Sequence, residues 1–135
     1  MRKRGIYARL LVGIAMLLQA GLGMDSAMAA KARHGAPLGD PARGMHLYQA
    51  CMGCHSLDDN DVGPRHRGVV GRAAAVVPGY AYSGALKSAH LLWTPANLDR
   101  WLAGPQALVP GAKMYYTVPS AQDRADIIAY LAQQK

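Results

Sequence analysis

The sequence predicts a small all-α protein of about four helices and long loops, wrapped around a centre the polypeptide does not itself supply. Three observations predict it. Segments following Asp40, Thr94 and Ser120 each pair a capping residue with apolar side chains at helical spacing. The stretch between Ser56 and Tyr82 carries many Gly and Pro residues and no clear period, so it reads as loop. No convincing strand pair and no internal repeat occurs. A chain this short builds only a small core, and loops of that length need something to close upon.

The N-terminus reads as a targeting segment. Arg2, Lys3, Arg4 and Arg9 form a basic start, an apolar stretch runs from Leu10 to Leu22, and Ala27-Met28-Ala29 offers a small-residue cleavage site. Residues 1–29 are therefore expected to be a signal peptide, cut after about Ala29 or Ala30. A retained anchor is the alternative, but the run is shorter than the roughly 20 residues that span a bilayer, and Gly21 and Gly23 interrupt its end. Residues 30–38 read as a flexible tail and 39–135 as one domain. Of 15 Lys and Arg, four lie in the leader, and of eight Asp and Glu one is Asp25, so the remainder nets +4. That mild basicity argues against nucleic-acid binding, which needs a dense basic face.

Within the domain the elements follow in order. Asp40 is a good N-cap and Pro41 suits the first helical position. Gly44, Leu47, Tyr48 and Cys51 then recur at helical spacing, which puts Cys51 at the end of a short helix. Ser83 to Lys87 fits one short helical turn. Thr94-Pro95 opens a helix with Leu98, Trp101 and Leu102 on one face, and Gly104-Pro105 stops it. Ser120 with Asp123 caps the last helix in a variant of the capping box; Ile127, Ile128 and Leu131 form its stripe, with Tyr130 beside it.

Cys51-Met52-Gly53-Cys54-His55 carries the chemistry. Two cysteines two residues apart, followed at once by histidine, form the attachment pattern of a c-type haem. Each thiol can add across one vinyl group, and the adjacent imidazole can ligate iron through Nε2. A thioredoxin-like redox pair or half of a zinc site are the competing readings. Zinc needs further ligands at regular spacing, yet no second Cys-x-x-Cys exists and His34, His46, His66 and His90 form no paired motif. No βαβ pattern surrounds the motif, and these are the only two cysteines, so no disulfide competes. One covalent haem c per chain is expected.

A second iron ligand distinguishes an electron carrier from a gas or substrate binder. Met114 is the only methionine beyond Met52, which sits inside the Cys-x-x-Cys loop and cannot reach the opposite face. It lies in the turn-forming loop Val109-Pro110-Gly111-Ala112-Lys113-Met114. A core role is the commonest one for methionine, but a Pro-Gly loop is an odd home for a plain core residue, which favours ligation.

From about Gly39 to Leu131 the chain resembles a class I cytochrome c of the mitochondrial and bacterial c2-like kind. The ordered series includes Gly63-Pro64, Gly71-Arg72, Pro78-Gly79-Tyr80-Ala81-Tyr82, Trp93, Pro110-Gly111-x-Lys113-Met114 and Ile128-Ala129-Tyr130-Leu131. The resemblance implies covalent haem c on Cys51 and Cys54, His55 and Met114 as axial ligands to the metal, and single-electron transfer with no catalytic residue. It further implies that the Pro64 carbonyl accepts from His55 Nδ1–H, that Arg72, Tyr82 and Trp93 surround a buried haem propionate, and that Gly44 and Tyr48 meet the last helix near Tyr130.

Departures from the family are visible. Trp101 stands where a tyrosine commonly hydrogen-bonds the methionine sulfur, and its indole N–H could donate instead. Leu86 replaces an asparagine, and Ala50, Gln106 and Ala107 occupy positions often basic in mitochondrial forms, so electrostatic steering should be weaker or directed elsewhere. The resemblance implies a monomeric, soluble periplasmic carrier with transient redox partners: a membrane cytochrome complex, a terminal oxidase, a reaction centre or a dehydrogenase. A fixed haem subunit of a larger oxidase or dehydrogenase, or a sensor or peroxidase whose Met114 dissociates, are the alternatives. For the four remaining histidines, exposed or capping roles are the safer expectation.

Overall fold

A computed structural model describes residues 37–135. The expected signal peptide over 1–29, residues 30–36 of the expected tail, and His34 lie outside the described residues. Helix α1, Pro41–Tyr48, starts where the Asp40 carboxylate accepts from the amides of Ala42 and Arg43, and runs into a 3₁₀ turn over Gln49–Cys51. Helix α2, Gly84–Ser88, is capped by Ser83, and α3, Pro95–Ala103, by Thr94.

At Gly104 the structure departs from the sequence reading. Gly104 ends α3 as expected, but Pro105 begins a further turn, α4, Pro105–Leu108. A proline that stops one helix can open the next, because its fixed φ suits the first helical position. Helix α5, Ala121–Gln133, begins where Ser120 accepts from the Asp123 amide. Among the described residues five α-helices thus stand where about four were expected, and there is no strand, only an isolated antiparallel bridge between Ala73 and Leu92.

Helices α1 and α5 cross at close range. A Cβ on Gly44 would lie 1.9 Å from the Asp126 carbonyl oxygen, and one on Gly39 would lie 2.2 Å from that of Ala125, so only glycine permits the approach. Tyr48 fills the crossing, its ring 5.2 Å from that of Tyr130. Asp126, fully buried, fastens the same junction: it accepts from the Asp40 amide at 2.7 Å, from Gln122 at 2.8 Å, and from Arg43, which also pairs with Asp123. The Asp40 amide, then Gln122 and Arg43, hold the Asp126 carboxyl below the usual carboxylate range against the opposing effect of burial.

The core joins Tyr48 to Leu98, Trp101 and Leu102 of α3 and to Ile127, Ile128 and Leu131 of α5. Each large aliphatic side chain buried there contributes about 1.5–3 kcal/mol. The long loop is fixed by side chains reaching its backbone: Asn60 donates to the Pro78 carbonyl at 2.9 Å and Tyr80 to that of Val62 at 2.7 Å. Two non-glycine residues flanking the bridge, Ala75 (φ 61°) and His90 (φ 48°), take left-handed backbone conformations. No helix among the described residues is long and apolar enough to cross a membrane.

Candidate functional site

The helices and the long loop leave a cavity of about 530 Å³, walled by side chains from α1, α2, α3, α5 and the loops between them. Every residue the sequence singled out lines it: Cys51, Cys54, His55, Pro64, Arg72, Tyr82, Trp93, Trp101 and Met114. Most of the remaining wall is apolar, with Leu86, Leu98, Leu102, Ile127 and Leu131 among its members.

One turn presents both thiols and the imidazole. The amides of Cys54 and His55 both donate to the Cys51 carbonyl, at 3.1 and 2.9 Å. Cys51 is partly buried, which pushes its thiol above the ordinary range, whereas Cys54 is exposed. The two are free cysteines, and among the described residues no three His, Cys, Asp or Glu side chains gather as a zinc site would require.

His55 is held on several sides. Its Nδ1 lies 2.8 Å from the Pro64 carbonyl oxygen. That oxygen can only accept, so Nδ1 carries the proton and Nε2 keeps its lone pair for a metal. Burial lowers the imidazole pKa, with the Pro64 contact opposing, which favours the neutral ring that a metal ligand needs. Gly63 lies flush against it: a Cβ there would come within 2.1 Å of Cε1 and 2.6 Å of Nε2.

Met114 belongs to the opposite loop. The Trp101 indole N–H donates to its sulfur at 3.2 Å, so tryptophan occupies the donor role that the sequence allowed it. Gln106 holds the loop itself: its Nε2 donates to the carbonyls of Ala112 and Met114 at 2.7 and 2.8 Å, and its Oε1 accepts from Gly111 at 3.2 Å. Sequence reading noted Gln106 only as a missing positive charge. Its task is legible only once the loop has been folded back over α4.

Arg72 brings donors into this largely apolar space. It donates to the carbonyls of Arg67 and Arg65 at 2.7 and 2.9 Å, which pins the loop after Pro64. Burial depresses its guanidinium, opposed by nearby Tyr82 and reinforced by Arg65. A half-buried cation with Tyr82 and Trp93 beside it on the lining fits an acidic group entering the cavity. Paired thiols, an imidazole with a free Nε2, a thioether, apolar walls and this basic corner together fit a haem. Leu86 is buried and lines the cavity as an apolar residue.

His66 corrects the expectation of an exposed or capping role. It lies in the cavity wall, its ring stacked on that of His55 with centroids 4.0 Å apart and planes 21° apart, and its Nδ1 is 3.1 Å from the Tyr48 hydroxyl. Burial, helped by His55 and Arg72, pulls its pKa down to about 3, so the ring is neutral. No local signal marks it, because its partners lie 11 and 18 residues away. His46 and His90 are exposed, and His90 takes its left-handed conformation just beyond the end of α2.

Comparison with known proteins agrees with this geometry. A sequence model of the cytochrome c family matches residues 41–135. Cytochrome c2 of Rhodopila globiformis is 47% identical over 104 residues, covering 74% of this chain and 98% of its own. The solved structure of cytochrome cH from Methylobacterium extorquens superposes with a TM-score of 0.68 at 44% identity, covering 70% of this chain and 98% of its own. That of cytochrome c2 from Rhodospirillum centenum gives 0.69 at 35% identity, covering 72% and 99%.

Proposed function

Because this chain belongs to the cytochrome c family, we propose that it carries single electrons between redox proteins through a haem c joined to Cys51 and Cys54 and ligated by His55 and Met114. The observation that carries the ligand assignment is the joint lining of one cavity by an imidazole with Nε2 free and a thioether held by an indole N–H. When bound, the haem supplies a one-electron iron couple. The protein's own part is to hold and to exclude. Cys51 and Cys54 anchor the group next to His55, so that its ligand cannot drift away. The Pro64 carbonyl fixes the His55 tautomer and makes the ring more basic.

Met114 offers a soft sulfur, whose preference for ferrous iron raises the potential. Leu98, Leu102, Ile127 and Leu131 keep water from the cavity and favour the less charged state. Arg72, Tyr82 and Trp93 offset the cost of burying a propionate. No step calls for a catalytic side chain.

Residues 1–29 would direct the chain to the periplasm, where a membrane cytochrome complex, an oxidase, a reaction centre or a dehydrogenase would meet it transiently as a monomer. Small, quickly released interfaces suit such exchange.

Optical spectra of the purified protein, oxidised and reduced, with pyridine haemochrome analysis, test the reading. The expected result is a low-spin haem with two thioether links and a weak sulfur–iron band toward the red. Met114→Ala should retain the haem, lose that band and lower the potential. An unchanged spectrum would overturn the Met114 assignment, and a colourless protein with both thiols free would overturn the function.

A further inference from the structure

His66 stands in the cavity wall with no task in the function proposed above. The hydrogen bond from His55 Nδ1 to Pro64 fixes one atom of the ligand ring, and Gly63 limits its movement toward that loop. Fixing the plane takes a flat neighbour that is itself immobile. His66 is flat, and it lies nearly parallel to His55, with 21° between the planes at 4.0 Å. It is also tethered, since its Nδ1 shares a 3.1 Å hydrogen bond with Tyr48. Tyr48 is 2% exposed and wedged against Tyr130 at the crossing of α1 and α5.

An aliphatic side chain at position 66 could fill the space but could not pair with the Tyr48 hydroxyl, and a buried hydroxyl without a partner is costly. We propose that His66, held by Tyr48, is a positioning residue that fixes the plane of the His55 imidazole toward the haem iron. The inference rests on reading His55 as an iron ligand. It ties the orientation of that ligand to the helix crossing on which the fold is built.

Electron paramagnetic resonance of the oxidised, haem-loaded protein tests it, because the largest g value reports the orientation of the ligand planes. Tyr48→Phe removes one oxygen and keeps the ring, so folding and haem uptake should survive. Both Tyr48→Phe and His66→Leu should shift and broaden that g value, and should speed solvent exchange of the His55 Nδ1 proton. Because Tyr48 acts through His66, the double variant should show no shift beyond that of His66→Leu alone. An unmoved g value and exchange rate in both folded single variants would overturn the proposal, as would a further shift in the double variant. Should His66→Leu not take up haem, Tyr48→Phe decides the matter alone. A wild-type protein lacking low-spin haem would instead sink the ligand assignment of His55 and Met114.

Discussion

The two sides of the cavity are built on different plans. His55 is fixed by what lies near it in the chain: two cysteines within four residues, Gly63 and Pro64 eight and nine residues on, and His66 eleven residues on. Much of that grip is backbone. Met114 sits in a loop whose Gly111 turns at φ 86°; Gln106 and Trp101 reach it, Lys113 of the loop donates to the Ala81 carbonyl, and Val109 and Ala112 are buried in the core. Beyond it Tyr115 and Tyr116 are largely exposed. The histidine side is held largely by the backbone of its own segment, and the methionine side largely by side-chain hydrogen bonds.

The harshest challenge to that contrast is Gly63→Ala. A methyl 2.1 Å from the His55 ring is nearer than any real contact, so either the ring, held at Nδ1 by the Pro64 carbonyl, or the Gly63 loop must shift. The ratio of haem to purified protein should collapse; normal loading would break the claim that the backbone locks this side.

Gln106→Ala ought to act more gently and on the other wall alone. It removes three hydrogen bonds, each worth about 1 kcal/mol, from the loop bearing Met114. Imidazole, which competes for the position of the sulfur, should bind the oxidised protein roughly tenfold to a hundredfold more tightly. An unchanged affinity would mean that the loop is held by something else.

Asp126→Asn serves as a control remote from either ligand. The folded-state pKa of Asp126 is depressed, so its stabilisation is fully present above the unfolded carboxylate value of about 3.9 and is lost as pH falls through the lower folded value. The variant should melt earlier than the wild type at neutral pH and lose less on acidification below about pH 4. Melting curves across that range check it, and parallel pH profiles would count against the assignment.

What could be read from the sequence was what chemistry or local geometry fixes. Cys51, Cys54 and His55 must stand at one spacing to meet a haem. Asp40, Thr94 and Ser120 cap helices through contacts two or three residues away. Pro64 was reached through family resemblance and Met114 as the only methionine beyond Met52, and the structure brings both to the cavity. Gln106 was missed because its contacts, five to eight residues on, depend on how the loop turns back, and His66 because its partners lie 11 and 18 residues away. The crossing of α1 on α5 was foreseen at Gly44 and Tyr48. Its fastening through Asp126 spans 86 residues to Asp40 and left no local trace.

Ala75 and His90 carry a practical consequence. A left-handed backbone at a residue with a side chain costs on the order of 1 kcal/mol, and glycine would recover part of that against its own greater entropy in the unfolded chain. Ala75→Gly or His90→Gly should therefore raise the melting temperature slightly, or leave it level, without disturbing the colour of the protein. For an engineer seeking heat tolerance, exposed His90 is the more open ground, because Ala75 also packs its methyl against the core.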